Sequence, residues 1–190
     1  MFRDSEEVGM AAKIIISLLV TMDGFIAEEN RSSNQLEEAF FIRQPAGVEL
    51  RRPQDCDVIL VGHNTFESYR QELTVGSYSD LPVVVLASEP LKLTAAEQNV
   101  SCIKGEIKAV ITYLERIGQV VWVMGGHELI NELTSQNLAD EIRLVTLPLE
   151  FGTGISLFNT NLPAPQVELA SLKEYGDMTY SIWRKKDDAN

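Results

Sequence analysis

One local pattern recurs along this chain and constrains its fold more than any other feature. A run of β-branched and aliphatic residues ends on glycine and passes at once into a polar, helix-forming segment. DVILV (57–61) leaves through Gly62 into HNTFES, and QVVWVM (119–124) leaves through Gly125-Gly126 into HELINEL. Apolar runs without polar alternation mark strands buried on both faces. Strands that feed directly into helices require a mostly parallel sheet with helices packed on it. KIIISLLVT (Lys13–Thr21) and LPVVVLAS (81–88) are two more runs of this type.

Helices are predicted between the strands. One covers 33–44, with Leu36, Phe40 and Phe41 on one side and Pro45 and Gly47 as its stop. A short one covers 65–73. The segment 106–117 carries Ile107, Val110, Ile111, Leu114 and Ile117 as a single apolar stripe, and His127–Ser135 turns Leu129, Ile130 and Leu133 inward. The last third changes character. EIRLVTLPLEF, VELASLKEY and DMTYSIWRK are strands with no helix between them, so at least the last pair forms an antiparallel hairpin. The expected architecture is α/β, a mostly parallel central sheet closed by that hairpin.

A chain of 190 residues suits a single domain, expected here over 13–186. Residues 1–12 read as a loose acidic tail in which Met10 is an alternative start, and 187–190 as a second tail. The net charge of −12, from 16 Lys and Arg against 28 Asp and Glu, disfavours a nucleic-acid binder that relies on phosphate contacts. Cys56 and Cys102 lack metal-ligand spacing and read as two buried thiols in a reducing cytosol, so no metal is expected. No apolar run approaches the length of a membrane span, and the N-terminus does not resemble a secretory signal. A cytoplasmic protein without membrane contact is the expectation.

The two glycine junctions are where chemistry would sit. Helix N-termini expose unpaired N–H groups and the positive end of the dipole, which suits phosphate. Two such junctions in one α/β chain suggest a dinucleotide lying across the C-terminal ends of the strands. Tight turns alone would also explain Gly62, Gly125 and Gly126. Neither junction is the G-x-G-x-x-G fingerprint, and no phosphate-binding G-x-x-x-x-G-K-[ST] loop is present.

MDGFIA, VILVGHNTFE, VMGGHELINEL and ADEIRLVTLPLEFGTGISLF, in this order, resemble the dihydrofolate reductase-like three-layer fold. Within it they are most similar to the RibD C-terminal domain family, the reductase domain of riboflavin biosynthesis. The resemblance spans Lys13 to about Lys185. It implies an NADPH-dependent reductase acting on a ribosylamino-pyrimidine phosphate, commonly dimeric. It places Gly62, His63, Asn64 and Thr65 against the cofactor pyrophosphate, with His63 where dihydrofolate reductases often have a basic residue. Ser88 and Lys104 fall beside the adenosine 2′-phosphate, and Gly125, Gly126 and His127 at the turn over nicotinamide and pyrophosphate.

On the substrate side the resemblance suggests Asp23, in the MDG turn, and Glu37, in EEAFF, as catalytic carboxylates. Asp23 also fits an ordinary Asp-Gly turn. Reducing an imine or carbonyl needs a proton, which Asp23, Glu37 or a water would supply. One departure stands out: riboflavin reductases usually carry glutamate immediately before the double glycine, and here that residue is Met124. A thioether neither accepts like a carboxylate nor relays protons. A related reductase acting on another pterin or flat heterocycle is therefore the first alternative. A nucleotide-binding module without catalysis is the second, favoured by the weakly basic His63-Asn64 pair. Trp122 and Trp183 read as core or strand residues. Tyr180, Ile182 and Trp183, on a strand with few charges, give a physical reason to expect a homodimer.

Overall fold

The computed structural model describes residues 11–186. In chain order the elements are β1 (Lys13–Thr21), β2 (Phe25–Ala27), α1 (Asn34–Arg43), β3 (Val58–Gly62), α2 (His63–Ser68), α3 (Arg70–Thr74), β4 (Val83–Leu86), β5 (Val100–Ile103), α4 (Ile107–Leu114), β6 (Val120–Gly125), α5 (His127–Ser135), β7 (Glu141–Leu147), β8 (Ile155–Ser156), β9 (Val167–Tyr175) and β10 (Met178–Lys185). Eight strands form one sheet in the order β5-β4-β3-β6-β1-β7-β10-β9, and β2 pairs with β8 in a small second sheet. Neighbours from β5 through β7 run parallel, and β10 and β9 antiparallel. The α/β architecture with a parallel centre and a terminal hairpin is thus the one expected.

The core explains the three layers. On one face of the sheet Ile14, Ile16, Leu18 and Val20 of β1 pack with Ile107, Val110 and Leu114 of α4 and with Leu129, Ile130 and Leu133 of α5. The opposite face holds two separate clusters. One gathers Ile59, Val61, Phe66, Leu73, Trp122 and Met124. The other gathers Leu19, Leu36, Phe40, Val145, Leu147 and Met178. Truncating a fully buried member such as Leu60 to alanine would cost about 2–5 kcal/mol. Trp122 is wholly buried, its indole N–H donating to the Ser17 carbonyl at 3.3 Å.

Several expectations need correction. Phe41 is 82% exposed: five residues beyond Leu36 it is turned about 140° around the helix, outside the buried stripe. The helix expected over 65–73 is two helices, with Tyr69 non-helical between them. Ile117 lies past the end of α4 and is exposed. Cys102 is exposed on β5, while Cys56 is buried. The third strand begins only at Val83, after Pro82. β5, β2 and β8 are too short and too mixed in pattern to show in the sequence. The edge at the antiparallel end of the sheet is β9, since β10 is paired on both sides, and β5 is the edge at the other end. Ala12, assigned to the N-terminal tail, is already buried in the core. Met10 and residues 187–190 lie outside the described residues.

Candidate active site

A cavity of about 860 Å³ opens at the C-terminal ends of β1, β3, β4 and β6, where the chain turns from strand to helix. Leu19 and Leu36 from one core cluster and Met124 from the other form its walls, so it occupies the gap between them. Both glycine junctions meet here. A Cβ on Gly62 would come within 3.2 Å of the Gly126 nitrogen, and one on Gly126 within 3.1 Å of Thr65 Oγ1. The two helix starts therefore approach as closely as their backbones allow. Gly125 has φ +133, which only glycine adopts readily, and the Gly125-Gly126 peptide is cis. No side chain caps the N-terminus of α2 or α5, so the first-turn N–H groups keep their hydrogen-bonding capacity.

Gly62, His63, Asn64 and Thr65, Gly125, Gly126 and His127, and Ser88 and Lys104 all lie on this one cavity wall, as does Glu37. His63 is half exposed, 3.8 Å from Glu67. His127 Nδ1 is 2.8 Å from the Ser156 carbonyl. A carbonyl only accepts, so Nδ1 carries a proton. Asn131 locks this arrangement: its amide donates to the His127 carbonyl at 2.7 Å and accepts from the Asn159 N–H at 2.7 Å. Among the described residues Lys104 makes no ion pair. The wall carries Arg31, Arg51 and Lys104 against Glu37, Glu106, Glu128 and Glu132. An anion here would be held by N–H groups and Lys104, not by a net positive field.

Asp23 is elsewhere. It is not part of the cavity wall, and its carboxylate accepts from the Thr21 hydroxyl at 2.5 Å, from Gly152 N–H at 2.7 Å and from Phe151 N–H at 3.0 Å. The Thr21 hydroxyl holds this carboxyl below its usual range against the effect of burial, with lesser help from the two backbone N–H groups. Asp23 ties the turn after β1 to the loop at Phe151-Gly152.

At the other end of the cavity stands a polar group that sequence reasoning did not assemble. Arg51 Nη1 donates to Glu37 Oε2 at 2.5 Å, and the Tyr69 hydroxyl donates to Glu37 Oε1. The Arg51 guanidinium lies 4.9 Å from the centre of the Tyr69 ring, and Ser33 Oγ is 2.8 Å from the Tyr69 oxygen. The Arg51 carbonyl accepts from buried Ser17 at 2.7 Å, which fixes its loop to β1. Burial disfavours the charged form of Arg51, but Glu37 together with Tyr69 and Tyr78 more than compensates, so the guanidinium holds its proton more firmly than usual. Burial pushes the Tyr69 phenol up, with Arg51 pulling the other way. A second hollow, about 1270 Å³, shares Ser33, Glu37, Arg51 and Tyr69 with the first.

A three-layer sheet of this order, with a cleft built from two strand–glycine–helix junctions, defines a dihydrofolate reductase-like protein. The structure superposes on dihydrofolate reductase from Enterococcus faecalis complexed with NADP(H) and RAB-propyl over 94% of this chain and 99% of that one, at 15% identity and a TM-score of 0.61. Residues 12–180 match the RibD C-terminal domain, and the chain belongs to that family. It is 26% identical over 168 residues to the uncharacterised protein YwjB of Bacillus subtilis (strain 168), covering 88% of this chain and 94% of the other. A putative riboflavin biosynthesis protein from Shewanella sp. PV-4 matches at a TM-score of 0.76 and 20% identity, covering 93% and 99% of the two chains. A Thermotoga maritima diaminohydroxyphosphoribosylaminopyrimidine deaminase/5-amino-6-(5-phosphoribosylamino)uracil reductase matches at 0.68 and 16% identity; 93% of this chain covers only 57% of that one. Family membership makes this a riboflavin-pathway reductase-like protein.

A dinucleotide fits the residues present. The close-packed glycines leave the helix starts open to it, and Lys104 stands at the Ser88 end with no partner among the described residues. No helix among those residues is long and apolar enough to cross a membrane.

Proposed function

We propose that this protein is an NADPH-dependent reductase of the riboflavin-biosynthesis type. The substrate is a pyrimidine-ribosyl phosphate of the 5-amino-6-(5-phosphoribosylamino)uracil kind, reduced at an imine or carbonyl carbon. The observation that carries this reading is the meeting of both glycine junctions on one cavity, with Ser88 and Lys104 at one end and the Glu37 group at the other.

When bound, the nicotinamide supplies a hydride. Gly126 and the first-turn N–H groups of α5, with those of Asn64 and Thr65, bind the pyrophosphate. Lys104 and Ser88 take the 2′-phosphate. His127, its ring fixed by Ser156 and Asn131, shapes the turn against the cofactor. Ser17, Leu19 and Met124 wall the space between these groups and would enclose the reacting carbon, and Glu37 with Arg51 would orient the substrate edge. The protein acts in the cytoplasm as a homodimer.

Titrating NADPH against the purified protein by fluorescence, then following its oxidation with the pyrimidine phosphate, tests the reading. Absence of binding at millimolar NADPH would sink it. Met124 specifically favours a second reading, a reductase of another pterin or heterocycle. Its apolar side chain, 4% exposed, belongs to the core cluster and offers no carboxylate to the substrate. Oxidation of NADPH with dihydrofolate but not with the pyrimidine phosphate would select that second reading.

A further inference from the structure

The reduction needs a proton, and the residues around the cavity decide which group holds one in place. Asp23 lies off the cavity wall with its carboxylate committed to Thr21, Phe151 and Gly152. Glu37 accepts on both oxygens, from Arg51 and from Tyr69. His127 directs its Nδ1–H at the Ser156 carbonyl. Tyr69 lines the same cavity as Gly125 and Met124, and it differs from these three in having a hydroxyl neighbour, Ser33, placed to replace a proton that it gives up. Its own single proton points to Glu37. The 2.8 Å contact with Ser33 must therefore be Ser33 O–H donating to the Tyr69 oxygen. Ser33 also lines the outer hollow.

From this chain of hydrogen bonds we propose that Tyr69 is the catalytic proton donor, recharged through Ser33 from water in the outer hollow. Arg51 and Glu37 are positioning residues that hold the phenol. The proposal rests on the reductase reading of the preceding subsection. As the substrate C=N (or C=O) carbon gains hydride from the bound nicotinamide, the nitrogen (or oxygen) takes the Tyr69 proton. The Ser33 proton moves to the phenolic oxygen, and water in the outer hollow reprotonates Ser33. One C–H and one N–H (or O–H) bond form, the double bond is reduced, the nicotinamide is oxidised, and one proton is drawn from solvent. Burial keeps the phenol protonated across the neutral range and makes it the weaker acid, so the proton leaves only for a strongly basic atom created beside it.

The test uses the full chain and whichever of the two substrates above is turned over. Tyr69→Phe keeps the ring beneath Arg51 and removes only the hydroxyl. It should lower kcat about 100-fold or more, abolish the solvent deuterium effect of the parent, and leave the Kd for NADPH within twofold. Ser33→Ala should lower kcat by a smaller factor and keep part of that effect. A readout without cofactor is the alkaline titration of tyrosine absorbance. The component missing from Tyr69→Phe should ionise above pH 10 in the parent and at lower pH in Glu37→Gln, where the negative neighbour is gone. Turnover of Tyr69→Phe at the parental rate, or a Tyr69 component that ionises below pH 10, would overturn the proposal while leaving the reductase reading intact. Failure of the parent protein to bind NADPH and to turn over either substrate would overturn both.

Discussion

Replacing Gly126 with alanine separates the two explanations of the double glycine, cofactor approach and chain geometry. Gly126 has φ −87 and ψ −175, extended backbone open to any residue. A methyl group there meets only Thr65 Oγ1, at 3.1 Å. Thr65 is β-branched and stiff, so the contact is relieved by moving the start of α2 a few tenths of an ångström. That costs about 1 kcal/mol, near the low end for overpacking, or roughly 2–4 °C in Tm for a domain of this size. The same movement spreads the two helix starts that are proposed to hold the pyrophosphate. Loss of one well-placed charge-assisted hydrogen bond, about 1.5–3 kcal/mol, would weaken NADPH about 10- to 100-fold. Differential scanning fluorimetry and a fluorescence titration of NADPH read the two quantities. Adding Thr65→Ala should restore both Tm and affinity, because that change removes the overlap that moves α2 while keeping the backbone N–H at position 65. NADPH bound by Gly126→Ala within twofold of the parent would refute the argument, since the mouth would then not be holding the cofactor. Gly125 is a poorer probe: at φ +133 any side chain is strained by about 1–3 kcal/mol, so Gly125→Val would lose stability and affinity together.

Lys104→Ala should weaken NADPH by roughly 1 kcal/mol, about fivefold, and leave NADH unchanged; equal losses in two parallel titrations would remove Lys104 from the 2′-phosphate site. Hydrogen bonds from Arg70, with that of the Thr94 N–H, hold the Glu97 carboxyl down at about 2. A carboxyl depressed in the folded state stabilises above its unfolded value, about 4.3, and that contribution disappears as pH falls toward 2. Urea melts of Glu97→Gln should therefore approach those of the parent as pH drops from 5 to 2, and a gap that stays constant would contradict the linkage. The homodimer is expected to use the β9 edge, where Leu169, opposite Trp183, and Leu172, opposite Ser181, are exposed. Sedimentation should give twice the 21.2 kDa of the chain, more completely at moderate salt because like charges repel; a single 21 kDa species at both salt concentrations would exclude it.

The parallel core was legible because its strands are buried on both faces and say so in uninterrupted valine and isoleucine. The hairpin was legible for the opposite reason, that no helical period intervenes after Glu141. The misreadings have local causes. Phe41 was grouped with Leu36 and Phe40 although a five-residue step leaves the helical stripe. The 65–73 segment hid a break at Tyr69, where no glycine or proline announces one. β2 has three residues and β8 two, and such strands exist only because Gly154, at φ +155, lets one backbone approach the other. No periodicity reports that.

The site divides in the same way. Its cofactor side was visible because it consists of backbone: glycine after strand, before helix, is a statement about φ and N–H groups that sequence makes directly. Its substrate side consists of side chains that meet from four places, Ser33 before α1, Glu37 within it, Arg51 on the loop to β3 and Tyr69 between α2 and α3. None is unusual alone, and Arg51 reads as one of two adjacent arginines in RRP. The loop between α1 and β3 brings Arg51 back to Glu37 of α1, and Ser17 fixes that loop through the Arg51 carbonyl. A carboxylate that would otherwise face a ligand alone is thereby paired with a guanidinium and bonded to a phenol. In the proposed mechanism the phenol and not the carboxylate is therefore the proton donor, and Glu37, the residue type that a sequence singles out, becomes the partner that holds it.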